Sequence, residues 1–256
     1  MSVKLLRKWP GVLKQANFAC QHQRHFLIPP KGEEGGNVRV VKSAFAPQLV
    51  YKYNPLKYYL SKLRMLKLRW TWDPNFKEHD FLEKSKHVAV SLTDNLRMRD
   101  MKKMDDFSTS NVYYQMANES INFPHDSCVE LLRFRKQDMR QVVPINVHLQ
   151  KILGLKYAII DVVMVGLRHV ADCETDADLE TMKKALVEME PELKVQLEDP
   201  SSQLPYVFIE LFLRFRRNYS NADHISGQEL ANHTNRWLVS VYKICRFNIF
   251  TVPPTT

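Results

Sequence analysis

Apolar residues in this chain recur with one period in the first half and another in the second, and that switch restricts the folds open to it. Residues 156–170, KYAIIDVVMVGLRHV, are rich in β-branched side chains and apolar on both sides, which suits a buried strand better than a surface helix. Residues 206–217 alternate, with Val207, Ile209, Leu211, Leu213 and Phe215 on one side and Glu210, Arg214 and Arg216 on the other. A third long strand is expected over 237–250, opened by Trp237. Before these, the spacing is helical. Leu56 to Trp72 forms one helix, started by Pro55 with Asn54 in the N-cap position. Lys77 to about Asp106 forms a second, on which Phe81, Ser85, Val88, Leu92 and Leu96 share a face. A shorter helix follows Ser110 and closes at Pro124. Between the first two strands, 174–198 reads as an acidic helix broken at Pro191. The segment 127–152 is assigned a strand at 129–135 and a short helix at 145–152. Helices followed by long antiparallel strands give an α+β domain, with N-terminal helices packed on one curved sheet. Phe81, Val88, Leu92 and Trp237 are its expected core.

Charge divides the chain elsewhere. Residues 1–72 hold 14 Lys/Arg and two acids, Glu33 and Glu34, for a net of +12. Residues 73–256 hold 23 Lys/Arg and 26 acids, for a net of −3. The basic character thus belongs to the N-terminus, as expected of an addressed or surface-binding segment joined to a separate folded body.

Residues 1–26 have no acid and place Lys4, Arg7, Lys8 and Lys14 opposite Leu5, Leu6, Trp9, Val12 and Leu13 on a helical wheel. That is the composition of a mitochondrial transit peptide, and Arg24-His25-Phe26 resembles a matrix processing site. Residues 27–54, with Pro29-Pro30, Gly35-Gly36 and Pro47, read as a linker, and 251–256 as a tail. The mature protein is then expected in the mitochondrial matrix. Cys20, Cys128, Cys173 and Cys245 are scattered without a CxxC, which suits free thiols. Cys20, His22 and His25 have ligand-like spacing but fall in the segment expected to be removed. No stretch reaches the 18 or so apolar residues of a transmembrane helix.

The helix of 55–72 carries the most suggestive surface. Leu56, Tyr59, Leu60, Leu63, Leu66 and Trp70 form an apolar stripe amid Lys57, Lys62, Arg64, Lys67 and Arg69, with no acid. Two readings stand. The helix lies on an anionic membrane with Trp70 and Trp72 as interfacial anchors, or it packs on its own domain with a solvated basic rim. Ribosomal RNA would suit the same basic excess.

Catalytic signals are sparse. From residue 55 onward the only glycines are Gly154, Gly166 and Gly227, so phosphate-cradling loops and nucleophile elbows are excluded. HExxH and zinc-finger spacings are missing as well. Asp161, His169 and Glu210 could act as acid/base groups, although strand residues of this kind are more often satisfied polar groups. Arg214, Arg216 and Arg217 could meet phosphate, but a charged strand end is the simpler reading. A non-enzymatic protein without cofactor or metal is expected.

The run Asn54-Pro55, then Trp72-Asp73-Pro74-Asn75-Phe76, then Asp80-Phe81-Leu82-Glu83-Lys84-Ser85, and Arg99-Asp100-Met101-Lys102-Lys103-Met104 resembles the opening of the mitochondrial Tim-forty-four-like family. The pattern covers about residues 54–106 and is similar to protease-interacting members, and next to membrane-facing members of the large mitochondrial ribosomal subunit. The acidic segment 174–198 departs from it. The resemblance implies a cone-shaped domain over 73–250 and a non-enzymatic role at the inner membrane. The partners it implies are matrix AAA protease subunits and imported client proteins, such as the calcium uniporter regulatory subunit, or else the mitoribosome.

Overall fold

Strand β2 (Leu155–His169) is the element against which the rest is laid, and it is buried without a break from Ile160 to Arg168. The computed structural model describes residues 54–98, 107–121, 126–152, 154–199, 202–220 and 236–251. The expected transit peptide, nearly all of the linker, and Met101 and Met104 lie outside them. Residues from Pro55 onward form one compact unit.

The element order is α1 (Pro55–Thr71), α2 (Glu78–Met98), α3 (Ser110–Ile121), β1 (Met139–Ile152), β2, α4 (Asp176–Met189), α5 (Lys194–Glu198), β3 (Tyr206–Asn218) and β4 (Leu238–Phe250). The strands form one antiparallel sheet in the order β1-β2-β3-β4. The fold class is α+β. Glu78 and Asp80 in the first turn of α2 complement its dipole. Thr175 accepts from the Asp178 amide to cap α4.

The register of β2 on β3 sorts the side chains. Ile160, Val162 and Met164 lie opposite Phe215, Leu213 and Leu211. All six are buried in a core that also takes Met65 and Leu68 of α1, Phe81 and Leu92 of α2, Val112 and Met116 of α3, and Met182 and Leu186 of α4. Phe81 stands at its centre, with ring centroids 5.3 Å from Phe215, 4.9 Å from Trp237 and 5.8 Å from Phe76. Leu92 is fully buried, while Val88 and Trp237 are half-buried against the cluster. Gly166 is needed here for closeness. A Cβ would stand 2.7 Å from Ile209 Cγ2 and 3.0 Å from the Phe134 ring.

The assignments within 127–152 are overturned. Asp126–Leu132 is a 3-10 helix rather than part of a strand at 129–135, and 145–152 belongs to strand β1 rather than to a helix. Ile145, Leu149 and Ile152 recur at helical spacing, and pairing with β2 overrode it. Pro144 is tolerated because β1 is an edge strand and its register shifts between Pro144 and Asn146.

Both edges of the sheet are engaged by helices or their connections. Ser61 Oγ and Arg64 Nη1 of α1 donate to the Ile145 and Val147 carbonyls of β1, at 3.1 and 2.9 Å. On β4, the Tyr242 amide donates to Gln115 Oε1 of α3 at 2.9 Å, and Val239 exchanges backbone bonds with Phe107 and Thr109. Such caps limit edge-to-edge pairing with other chains.

Candidate functional site

Helix α1 has two apolar faces, and the one that packs is not the one the stripe suggested. Ser61, Met65 and Leu68 are buried against the body. Leu56, Tyr59, Leu60, Leu63, Leu66 and Trp70 all remain exposed, Leu63 to 61% and Trp70 to 74%. The helix does pack on its own domain, but through Ser61, Met65 and Leu68 rather than through the stripe. Positions 56, 59, 63, 66 and 70 alternate steps of three and four, which lines them up along a helix roughly 25 Å long.

The cations around this stripe fall into two groups. Lys62 pairs with Glu78 at the start of α2. Burial alone would lower the Lys62 pKa, but Glu78 and Tyr58 hold it above its ordinary value. Arg64 is drawn to the β1 edge, also reaching Asn146 Oδ1 at 3.3 Å. Lys57, Lys67 and Arg69 are exposed. Trp72 departs from its expected role as a lipid anchor. It is half-buried, with its ring 5.9 Å from Tyr219, because it caps the core at the end of α1.

The end of α1 is fixed by a cluster that was not foreseen from the residue pattern. Asp73 accepts from Arg217 Nη1 and from the Tyr219 hydroxyl, each at 2.9 Å. Burial, aided by the Asp73 carboxylate, raises the Tyr219 pKa well above its ordinary value despite Arg217 nearby. The partners lie about 145 residues apart in the chain, so no local motif announces them.

The acid/base candidates do not converge. Asp161, Glu210 and His169 share the sheet face opposite the core, but Glu210 pairs with Val165, four residues from Asp161 and four from His169 on β2. Each step of four residues spans roughly 13 Å, beyond hydrogen-bond reach. Asp161 holds Arg214 in a two-point contact of 2.6 and 3.0 Å. Glu210 faces Arg246 Nε at 3.6 Å. The His169 Nε2 lies 3.0 Å from the Leu204 carbonyl. The arginine run is likewise divided: Arg214 on Asp161, Arg217 on Asp73, and Arg216 stacked 5.5 Å over Tyr157.

His148 on β1 is a further polar residue of that face not singled out by the sequence. Its Nε2 lies 2.7 Å from Asn146 Nδ2. Burial lowers its pKa, Asp161 works against this, and the charges of Arg64 and Arg214 add to the lowering. Among the described residues no group of three or more His, Cys, Asp or Glu could hold a metal ion, and no helix is long and apolar enough to cross a membrane.

No protein-family model matches the chain, and no curated protein matches it either.

Proposed function

We propose that this chain is a non-enzymatic adaptor or chaperone of the mitochondrial matrix, seated peripherally on the inner membrane through α1. It works beside the matrix AAA protease on newly imported inner-membrane proteins, such as the regulatory subunit of the calcium uniporter. The membrane seat rests on one observation: six large apolar side chains of an acid-free helix face outward, with Lys57, Lys67 and Arg69 exposed among them. Anionic lipid satisfies both halves of that surface, taking up the apolar side chains while its headgroups meet the cations. The adaptor role rests on the resemblance over 54–106, and the local partners of Asp161, Glu210 and His169 fit a scaffold better than a reaction centre.

Binding of the full chain to cardiolipin-containing vesicles tests the membrane seat. Leu63→Ala with Trp70→Ala should weaken it by at least about tenfold, since each buried apolar side chain contributes about 1.5–3 kcal/mol. Equal binding by parent and variant would defeat this reading. Affinity purification from mitochondria tests the adaptor role, which requires protease subunits among the captured proteins. A large-subunit ribosomal protein is the second reading, favoured by the outward cations. It requires co-sedimentation with ribosomes that is lost at high salt or after nuclease treatment.

A further inference from the structure

The turn between β1 and β2 carries a charge arrangement that costs stability and has no use inside the fold. Lys151 and Lys156 are directly opposite each other across the antiparallel pair. Both are exposed, and among the described residues neither ammonium is paired with an acid. Like charges in that position repel. Gly154, at φ +83°, helps the chain reverse between them.

The pair stands beside the end of α1. Val147 and Leu149 lie opposite Ile160 and Ala158 on the core face of the sheet, and Lys151 and Lys156 are the next pair of that face. The Lys156 carbonyl accepts from the Tyr219 amide at 2.8 Å, and Tyr219 in turn holds Asp73, two residues past the end of α1. Arg69 and Trp70 occupy the turn just before. The opposite end of the sheet has the other sign. From Lys156, β2 runs roughly 45 Å to His169, and the segment that follows, 174–199, has nine acids and three lysines. The segment is tied there by Arg133 to Asp178 of α4 and by Arg135 to Glu174 just before that helix.

We infer that Lys151 and Lys156 extend the outward face of α1 into a single docking surface for an anionic lipid membrane, with the α4–α5 segment turned away from it. The inference rests on the membrane seat proposed for α1 and adds a second, purely electrostatic contact to it. Charge complementarity selects the anionic partner. The contiguous apolar stripe of α1 selects lipid over nucleic acid, whose phosphates call for no such stripe.

The full chain, with vesicles of phosphatidylcholine alone or of phosphatidylcholine with cardiolipin, provides the test. Lys151→Gln with Lys156→Gln should weaken binding to the cardiolipin vesicles about thirtyfold, or about fivefold for each lysine near an anionic surface. It should not change binding to phosphatidylcholine alone, and it should raise the urea midpoint, because the repulsion is removed. Lys151→Arg with Lys156→Arg should retain parental binding. If the Gln variant binds cardiolipin vesicles as the parent does while Leu63→Ala with Trp70→Ala does not, the turn has no part in docking and only the seat on α1 survives. If neither variant loses binding, both readings fall. Lost binding to single-stranded RNA with intact vesicle binding in the Gln variant would also overturn the inference.

Discussion

Helices α1 and α2 follow one another in the chain, each with an apolar stripe at helical spacing, yet they dispose of it in opposite ways. The face of α2 marked by Phe81, Leu92 and Leu96 is buried in the core, and its Glu83 takes part in surface ion pairs with Lys86 and Lys136. Helix α1 shows its stripe to the outside and docks through Ser61, Met65 and Leu68. Amphipathic spacing identifies a face that seeks cover. It does not say whether that cover belongs to the same molecule.

The largest effect expected from this contrast is at Phe81. Phe81→Ala deletes a ring packed against Phe76, Phe215 and Trp237 and should cost roughly 3–5 kcal/mol. That is a large share of the stability of a domain this size. Urea or thermal unfolding measures it, and a loss under about 1 kcal/mol would mean that α2 is not what closes the core.

A paired substitution within α1 sharpens the comparison. Leu68→Ala, on the fully buried face, should cost about 2–5 kcal/mol, whereas Leu63→Ala, on the exposed face, should stay within about 0.5 kcal/mol. Similar losses at both positions would show that the outer stripe is covered within the chain.

The smallest effect is a pH dependence at the edge that α1 covers. The His148 pKa is lower in the fold than its ordinary value near 6.5, so the unfolded chain binds the proton more readily. The stabilising contribution is present above that ordinary value and is lost as the pH falls through the window below it. Urea midpoints compared at about pH 7.5 and about pH 5.5 should fall less for His148→Gln than for the parent. An equal fall would place the responsible titration elsewhere.

Much of the secondary structure was legible because local pattern governs it. Strands β2, β3 and β4 follow from β-branched runs and alternation, and α4 from its apolar spacing up to Pro191. Strand β1 was not legible, since Ile145, Leu149 and Ile152 recur at helical spacing and a proline stands within the strand. Of the residues that matter around α1, the exposed ones could be named from the sequence. Their separation from Lys62 and Arg64, which are held by Glu78 and the β1 edge, and from Trp72, which packs on Tyr219, could not.

The sequence by itself determined the α+β class, the core positions Phe81 and Leu92, the acid-free basic character of α1 and the sparse glycine from residue 55 onward. Each depends on residue type and spacing over a few turns of chain. Only the tertiary structure decided which face of α1 packs, because two apolar faces of one helix compete and the β1 edge carbonyls accept only the one bearing Ser61 and Arg64. It also brought Asp73 to Arg217 and Tyr219, and set Lys151 and Lys156 beside the end of α1. Contacts across so many residues arise from the closure of the sheet, and their partners carry no sequence mark of one another.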